Sequence, residues 1–482
     1  MVMFLTITLL FLDFTGTIHR WLGWTAKVQF LPALLAMNVG VIVALILLTL
    51  LMGRVYCSVI CPMGVMQDCI SWISGKRKKK KLRFTYSREV KWLRYGVFTL
   101  FLAALIVGIG SFVALLAPYS SYGRIVSNLF APFYQWGNNL LAFIAERVDS
   151  YAFYERDVWV RSIPTFIIAA ITFVAIAILA WRNGRTYCNT ICPVGTFLGF
   201  LSRFSMFAPV INVSKCVGCK RCARKCKASC IDSQNHAIDL SRCVACMDCI
   251  DTCHEGAIRL QYRWKSKGTT NQGIDQSRRS ALTAVGILAA GAITKAEKKV
   301  DGGLAVIEDK KAPNRVNRIV PPGAISVRHF ARHCTACQLC VSVCPNEVLR
   351  PSSDLESLMQ PEMGYDHGYC RPECTRCSHV CPAGAILPIT RAEKSSIQIG
   401  HAVWLMHNCI PVVDGVECGN CARHCPTGAI QMIPSVANDP SSVKIPAINV
   451  ERCIGCGACE NLCPARPVSA IYVEGNKVHS LM

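Results

Sequence analysis

Closely spaced cysteines are the residues of this chain with the clearest capacity for chemistry. The chain has 482 residues and 30 cysteines, and six motifs of four account for 24 of them. In the first two motifs the spacing is C-x2-C-x2-C-x3-C, in which three thiolates bind one 4Fe-4S cluster and the fourth binds the neighbouring cluster. The predicted ligand sets are Cys216, Cys219, Cys222 with Cys253, and Cys243, Cys246, Cys249 with Cys226.

Structural zinc sites are the alternative for these two motifs. A zinc site is built from pairs of C-x2-C, whereas each predicted set here is a triplet with a distant fourth cysteine. Disulfides are the alternative for the high cysteine content as a whole. Disulfide-rich scaffolds are short and secreted, whereas this chain contains long apolar runs. Cluster ligation is therefore the interpretation that fits both observations.

Four further motifs lie near the C-terminus, and each ends in a cysteine followed by proline. An Ala-Ile step follows three of them, at Ala385, Ala429 and Ala470, as in the short strands of a ferredoxin lobe. Because few bulky apolar residues accompany each cluster, we expect this domain to fold only with its metal bound. The predicted ligands are Cys334, Cys337, Cys340, Cys344; Cys370, Cys374, Cys377, Cys381; Cys409, Cys418, Cys421, Cys425; and Cys453, Cys456, Cys459, Cys463.

The chain carries a formal net charge of +22, which on its own is typical of nucleic-acid binding. Each oxidised 4Fe-4S cluster with four thiolates carries roughly −2, so six clusters would cancel roughly half of the excess. Much of the remaining positive charge lies beside apolar segments, where membrane topology explains it. The sequence therefore predicts no nucleic-acid partner.

Four apolar segments precede the first cysteine triplet and must position it: residues 2–18, 30–52, 95–116 and 163–181. The last three are long enough to cross a hydrocarbon core of about 30 Å as helices. The first segment carries Asp13 and is counted as a span, because an even number of spans places both basic flanking stretches on one side of the membrane. A signal-like anchor is the alternative. The lysine-rich stretch 76–83 predicts a cytoplasmic loop that contacts anionic lipid, and Arg182 and Arg185 place the end of the fourth span on the same side.

The cytoplasmic ends of these spans carry an internal repeat. Residues 53–64 read GRVYCSVICPMG, and residues 184–195 read GRTYCNTICPVG. The likeness indicates two helix pairs related by a pseudo-twofold axis, which would bring four thiols together. The four could hold one further metal centre or act as two redox dithiols, and the alternative is small buried residues at a helix break. They are Cys57, Cys61, Cys188 and Cys192, whereas Cys69 and Cys230 fit no motif and are predicted to be ordinary thiols.

The paired R-x-Y-C-x2-I-C-P-x-G motifs, the apolar segments and the following two-cluster module resemble the NapH-type polyferredoxins. These are membrane subunits of quinol dehydrogenases that serve periplasmic nitrate reductase, and the resemblance covers residues 30–255. Lys227 and His254 stand where that family has proline after the ligands. The same module occurs in NosR-like regulators and in copper-assembly proteins of cytochrome oxidase, but this chain lacks the C-x2-C-H haem signature and the room for a flavin domain expected of NosR.

The looser second and third C-terminal motifs resemble NapG and related four-cluster subunits. That resemblance implies a nested exchange of ligands between the four motifs. The outer motifs would exchange Cys344 and Cys463, and the inner motifs would exchange Cys381 and Cys425.

Residues 263–328 read as a basic linker without cysteine. Arg278 and Arg279 precede the short apolar run 284–293, which resembles a twin-arginine signal for export of folded, cofactor-loaded domains. Ala281 replaces the usual phenylalanine, and a surface helix or flexible tether is the alternative. An export signal would place two clusters inside and four outside, whereas a tether would leave all six in the cytoplasm.

The sequence thus predicts a multidomain protein of the cytoplasmic membrane. A helical membrane domain of about four transmembrane helices with an internal repeat (1–210) precedes two α+β bacterial-ferredoxin-like domains (211–262 and 329–482). The predicted function is electron transfer between the quinone pool and a redox protein partner through six 4Fe-4S clusters, as an oxidoreductase component without identified catalytic residues. The quinone follows from the resemblance alone. The alternatives are ferredoxin-to-quinone transfer in the cytoplasm and a regulatory or metal-centre assembly role with a metal such as copper.

Overall fold

The computed structural model of the chain describes residues 1–13, 15–77, 84–150, 153–156, 158–263, 310–437 and 439–482. These residues form a helical domain (1–205), a first module (207–262) and a C-terminal module (310–482). The predicted twin-arginine segment and residues 78–83 of the lysine-rich loop lie outside the described residues.

Short and medium-length helices make up the helical domain. Proline occupies the first turn of several of them, for example Pro62, Pro118 and Pro193, where its missing N–H leaves no hydrogen bond unmade. Two π-helical turns, Tyr56–Ile60 and Val126–Phe130, interrupt the series. The α-helices are Val2–Leu12, Thr17–Leu22, Trp24–Lys27, Phe30–Leu35, Val39–Met52, Pro62–Arg77, Lys91–Val107, Gly110–Leu116, Pro118–Ile125, Ala131–Glu146, Ile163–Asn183, Thr186–Thr190 and Pro193–Ser202.

Helix lengths bear on the four predicted spans. Among the described residues, Ile163–Asn183 is the one helix long and apolar enough to cross a membrane by length and composition. The predicted continuous helices over 30–52 and 95–116 are corrected, because each is broken. The Asn38 side chain caps a new helix by accepting from the Val41 N–H, and Gly108 adopts a left-handed φ of 88° that ends the helix before it. A domain of four full spans therefore stays a prediction.

The first module is a small α+β unit. Strand Phe207–Ile211 pairs antiparallel with Ile258–Tyr262, so the module begins just ahead of residue 211. A second hairpin pairs Ile231–Asp232 with Ala237–Ile238. The cysteine loops lie between these strands, next to the short helices Arg221–Lys225 and Asp248–Thr252 and the 3-10 turn Val213–Lys215.

The C-terminal module is built from similar short helices and antiparallel strand pairs. Residues 310–328 of the predicted linker also belong to it, because Lys310 donates to the Asn461 carbonyl at 2.8 Å. Its antiparallel strand pairs are Leu349–Pro351 with Pro361–Met363, Ile397–Trp404 with Ile471–Leu481, and Ile430–Pro434 with Lys444–Ile448. Its helices are Val327–His333, Leu339–Ser342, Arg376–Val380, Arg391–Ser396, Ile410–Val413, Asn420–Arg423 and Ala458–Asn461, and its 3-10 turns are Leu355–Ser357, Met406–Asn408 and Val450–Arg452.

The two modules contact opposite ends of the helical domain. Just before helix Ile163–Asn183 begins, Arg161 donates to the Val341 carbonyl of the C-terminal module at 2.8 Å. Just after it ends, the Arg185 N–H donates to the Lys227 carbonyl of the first module at 2.9 Å. A helix of 21 residues is about 31 Å long at 1.5 Å per residue, so the helices separate the modules by about that distance.

Candidate iron-sulfur and thiol centres

The structure brings the cysteines of the first module together in the two sets that the spacing predicts. One small cavity is lined by Cys216, Cys219, Cys222 and Cys253. The other is lined by Cys226, Cys243, Cys246 and Cys249, with Cys230 as a fifth cysteine. The last cysteine of each motif therefore reaches across to the other motif's triplet.

The backbone between these cysteines is shaped to bind an anion. Alternate residues enter the left-handed region, at Gly218 (φ 66°) and Lys220 (φ 58°) in the first module and at Ala336 (φ 50°) and Gln338 (φ 66°) in the C-terminal module. Such alternation turns successive N–H groups toward one side, and the Ala336 N–H donates to Cys334 Sγ at 3.4 Å. Loops with inward N–H groups and four thiols suit the charge of a 4Fe-4S cluster. The residues present therefore fit that cofactor.

Cys230, which the sequence predicts to be an ordinary thiol, lies directly beside one of the sets of the first module. Its side chain is 1% exposed, and its Sγ lies 3.5 Å from Cys226 Sγ. The hydrogen bond from Cys230 lowers the pKa of Cys226 to about 7. Nothing in the motif spacing signals this contact, because Cys230 lies beyond the last ligand and is turned back by the hairpin at Ile231.

In the C-terminal module the nested pairing is wrong, because adjacent motifs exchange their last cysteines. One cavity is lined by Cys344 with Cys370, Cys374 and Cys377, and another by Cys463 with Cys409, Cys418 and Cys421. The other two sets are identified by the thiols that lie close to Cys340 and to Cys456.

Burial raises the pKa of Cys340, and the thiols of Cys337, Cys334 and Cys381 raise it further. Burial likewise raises the pKa of Cys456 to about 12, and the neighbouring thiols that raise it further include Cys453 and Cys425. Consecutive motifs pair because closing a shorter loop loses less chain entropy than closing a longer one. The module is thus two lobes of two sets each.

The four C-terminal sets, numbered by motif, form a series. The first set contacts the helical domain, where Gly123 packs directly on the Cys337 carbonyl. The first and second sets share a lobe. The second set contacts the fourth through the Cys370 N–H, which donates to the Cys456 carbonyl at 2.9 Å. The third set shares the other lobe and lies farthest along the series.

The repeat in the helical domain also assembles as the sequence predicts, with four thiols at one place. Each is buried, with 4% to 5% of its surface exposed. Burial raises the pKa of Cys192 well above its ordinary value, and the thiols of Cys188, Cys61 and Cys57 raise it further. We call this group the four-thiol centre.

Each copy of the repeat reaches into the other at the four-thiol centre. Arg54 donates to the Cys188 carbonyl at 3.1 Å, and Arg185 donates to the Cys57 carbonyl. A Cβ at Gly195 would collide with the Cys188 carbonyl and with Arg54, and a Cβ at Gly64 would collide with the Cys57 carbonyl and with Arg185. The arginine and the final glycine of the motif therefore serve one exchange across the pseudo-twofold axis.

Hydrogen-bond donors point at the sulfurs of this centre. Gln67 Nε2 donates to Cys188 Sγ at 3.1 Å, the Gly195 N–H to Cys192 Sγ at 3.3 Å, and Arg54 to Cys57 Sγ at 3.8 Å. Donors of this kind stabilise thiolates. Within the described ranges, no group of three or more His, Cys, Asp or Glu side chains is spaced for a single metal ion.

A buried arginine links the four-thiol centre to the first module. Arg54 also donates to the Ser241 carbonyl at 3.1 Å, two residues before Cys243. Arg94 donates to the same carbonyl at 2.9 Å and pairs with Glu89 at 2.6 Å. Sequence reasoning missed the role of Arg94, because a charge at the start of an apolar segment reads as a topology signal.

Comparison with known proteins finds two iron-sulfur families in this chain. A family described as "4Fe-4S binding domain" matches residues 34–81 and 164–210, which contain the two copies of the repeat. A family described as "4Fe-4S dicluster domain" matches residues 333–385 and 416–466, one match for each C-terminal lobe. No solved structure matches the chain. The fold and the thiol sets thus define an iron-sulfur protein with ferredoxin-type domains.

The curated relatives give the family. The ferredoxin-type protein NapF of Escherichia coli K12 is 30% identical over 161 residues, which are 33% of this chain and 88% of NapF. The methylamine utilization ferredoxin-type protein MauM of Methylobacillus flagellatus is 30% identical over 170 residues, 33% of this chain and 70% of MauM. MauM of Methylorubrum extorquens is 31% identical over 200 residues, 39% of this chain and 84% of that protein. The chain belongs to this family of ferredoxin-type proteins.

Proposed function

We propose that this protein carries electrons between the membrane quinone pool and a redox partner protein, as the iron-sulfur component of an oxidoreductase. Six 4Fe-4S clusters at the six thiol sets would supply the one-electron carriers. The observation that carries the proposal is the series of sets, which runs from the helical domain to the far lobe of the C-terminal module through the contact of Cys370 with Cys456.

The helical domain is proposed to lie in the cytoplasmic membrane, with the first module inside and the C-terminal module outside. Two observations support this topology. Helix Ile163–Asn183 leaves Ile171, Val174 and Ile178 more than half exposed, as expected of a surface that faces lipid. The two modules also contact opposite ends of that helix, as modules on opposite sides of a bilayer would.

Protease accessibility in spheroplasts of a bacterial host tests this topology. Protease added outside should cleave the C-terminal module while leaving the first module intact. Cleavage of both modules only after lysis would contradict it and would favour the cytoplasmic alternative, in which all the sets accept electrons from a soluble ferredoxin.

The four-thiol centre is proposed to be a further redox centre between the two modules. Its thiols are buried, so a partner protein could not collect a metal ion from them directly, and this favours electron transfer over metal-centre assembly. Arg54 connects it to the first module, as described above.

A double variant, Cys57→Ala with Cys188→Ala, tests this role in anaerobic membranes. We expect the variant to keep the iron of the six thiol sets. Electron donors added on the side of the first module should no longer reduce the clusters of the C-terminal module. Reduction at the wild-type rate would remove the four-thiol centre from the path, while the proposed electron-transfer function of the six sets would stand.

A further inference from the structure

A large apolar cavity lies where the helical domain meets the C-terminal module. Its volume is about 440 Å³, and ligand sites in proteins occupy about 300–1,000 Å³. Its apolar walls include Leu12, Phe133, Trp136 and Phe166, and the loop after Cys337 closes one side. The cavity is separate from every thiol set described above.

Two polar atoms in the cavity wall lack partners. Ser127 Oγ and Gln338 Nε2 are buried, and neither has a hydrogen-bond partner among the described residues. Asn128 Nδ2 donates to Gln338 Oε1 at 2.8 Å, which fixes the amide and leaves its Nε2 as a free donor. Because a buried donor without an acceptor destabilises the folded protein, this cavity is suited to a ligand that carries an acceptor oxygen.

Gln338 connects the cavity to the first C-terminal set. It lies between Cys337 and Cys340, two of the thiols of that set, and its backbone has the left-handed φ of 66° that the loop requires. A ligand bound to its amide therefore lies one residue from a predicted cluster ligand. The corresponding residue in the first module is Met247, also left-handed at φ 60°.

The cavity is placed to take its ligand from lipid. Helix Ala131–Glu146 forms part of its wall and exposes Phe133 (68%), Trp136 (57%) and Leu140 (62%) on its surface. Aromatic side chains on an amphipathic helix are typical of the membrane interface. On the module side the cavity is closed by Trp159, whose Nε1 donates to Glu347 at 2.6 Å.

We infer that this cavity binds the ring of a lipid-soluble quinone or quinol. A ring oxygen accepts from Gln338 Nε2, Ser127 Oγ provides a second polar contact, and the aromatic walls hold the flat ring. A lipid acyl chain fits the walls but leaves both polar atoms unpartnered. This inference rests on the proposed function and gives that function a substrate site next to the first C-terminal set.

Quinone binding to the complete holoprotein tests the site. The probe is a short-chain ubiquinone analogue added to protein in nanodiscs, with quenching of tryptophan fluorescence as the binding signal. Gln338→Met should weaken binding about tenfold through the lost hydrogen bond, and Ser127→Phe should abolish it by filling the cavity. The matched control is Met247→Gln, which moves the amide to the first module and should leave binding unchanged.

Cluster iron is measured in each variant, so that a folding defect is recognised. An azidoquinone should label peptides that contain Trp136 or Gln338. Unchanged affinity in Gln338→Met and Ser127→Phe, with labelling elsewhere, would overturn the site while the proposed function stood. Equal losses in Gln338→Met and Met247→Gln would overturn it too. A wild-type protein that binds no quinone and whose clusters no quinol reduces would overturn both the site and the proposed function.

Discussion

The first module and the C-terminal module meet the helical domain in different ways. On the first module's side, charged groups lie at the contact. Within the helical domain Arg185 forms a two-point ion pair with Asp68, with nitrogen-oxygen distances of 2.8 and 2.6 Å, and Lys227 of the first module pairs with Asp68 across the contact and with Asp248 of its own module. On the C-terminal side, one ion pair between Arg161 and Glu347 at 3.4 Å and a few polar bonds lie beside a mostly apolar cavity. The first contact is built to hold two parts together, and the second leaves room for a ligand.

Two buried arginines near the first module differ in the group that compensates their charge, and one of them contacts the four-thiol centre. Arg54 and Arg185 are 0% exposed, and a buried charge is stable only when it is compensated. Arg185 has Asp68. Arg54 has no carboxylate partner within the described part of the chain, and its bonds go to Cys57 Sγ, Asn189 and two carbonyls. The sulfur of Cys57 is therefore the acceptor bonded to Arg54 that could carry a compensating negative charge.

The largest predicted effect tests whether both modules exchange ligands between adjacent motifs. Cys334→Ala should lose about four irons per chain, the content of one cluster. Adding Cys381→Ala should lose no more, because both cysteines belong to one set. Adding Cys463→Ala instead should bring the loss to about eight irons. Iron analysis of anaerobically purified protein is the measurement.

The first module provides the control for these counts. Cys243→Ala and Cys226→Ala share a set, so the pair should lose iron like a single variant. If Cys334→Ala with Cys381→Ala loses two clusters while Cys334→Ala with Cys463→Ala loses one, the nested arrangement is right and the two modules differ in their topology.

A second prediction concerns the charged contact. Asp68→Asn leaves the fully buried Arg185 without its counterion, which should destabilise the structure around Arg185, whose backbone N–H bonds the first module, by about 3–5 kcal/mol. Asp248→Asn is the control, because it removes a partly exposed partner of the same Lys227 and should cost at most about 1 kcal/mol. Hydrogen exchange of the Arg185 amide, which is bonded to the Lys227 carbonyl, measures the opening. Similar exchange in both variants would show that the ion pair does not hold the first module in place.

Sequence reasoning succeeded where the chemistry is local. The sets of the first module could be predicted from spacing. Three ligands of each set lie within one loop, and the last cysteine of each motif has only one other triplet in the module to join. The pairing of the four C-terminal motifs could not be predicted from spacing. The spacing within each motif is the same whether Cys344 and Cys381 are exchanged between adjacent motifs or in the nested arrangement. The four-thiol centre could be predicted from the repeat, but not the crossing of Arg54 to the other copy.

Features that depend on tertiary contact gave no signal in the sequence. Cys230 contacts a cluster set because a hairpin turns it back, not because it belongs to a motif. The break at Gly108 depends on a left-handed residue inside an apolar run that reads as one helix. The cavity beside Gln338 arises only when the helical domain and the C-terminal module meet, so no single segment encodes it.

A third prediction concerns the reduction potential of the cluster that Cys226 would bind in the first module. Cys230 is the one thiol of the first module outside the two four-cysteine sets, and with Cys226 bound as a thiolate its S–H becomes the donor of their hydrogen bond. Cys230→Ala should keep the cluster iron but lower that cluster's potential by roughly 20–60 mV, the equivalent of one hydrogen bond. Redox titration followed by electron paramagnetic resonance measures the shift. A loss of iron instead would make Cys230 a ligand.

The smallest predicted effect separates the two modules by their response to acid. Burial lowers the pKa of His479 in the last strand to about 4, against about 6.5 when unfolded. Below about pH 6.5 the His479 imidazole is protonated in the unfolded chain but stays neutral in the folded strand. The stability of this strand therefore falls as the pH drops from about 6.5 to 4.

On the first module's side the sign is the same, but the pH range lies lower. Burial alone would raise the pKa of Asp68, but the hydrogen bond and charge of Arg185 lower it below its ordinary value. Its contribution is therefore present above about pH 4 and is lost only in stronger acid. At pH 5.5 hydrogen exchange of residues 471–481, corrected for intrinsic rates, should report a loss of about 1 kcal/mol relative to pH 7.5, while the Arg185 amide stays protected. His479→Gln should remove the difference between the two pH values, and its persistence in that variant would assign the acid response to another group of the C-terminal module.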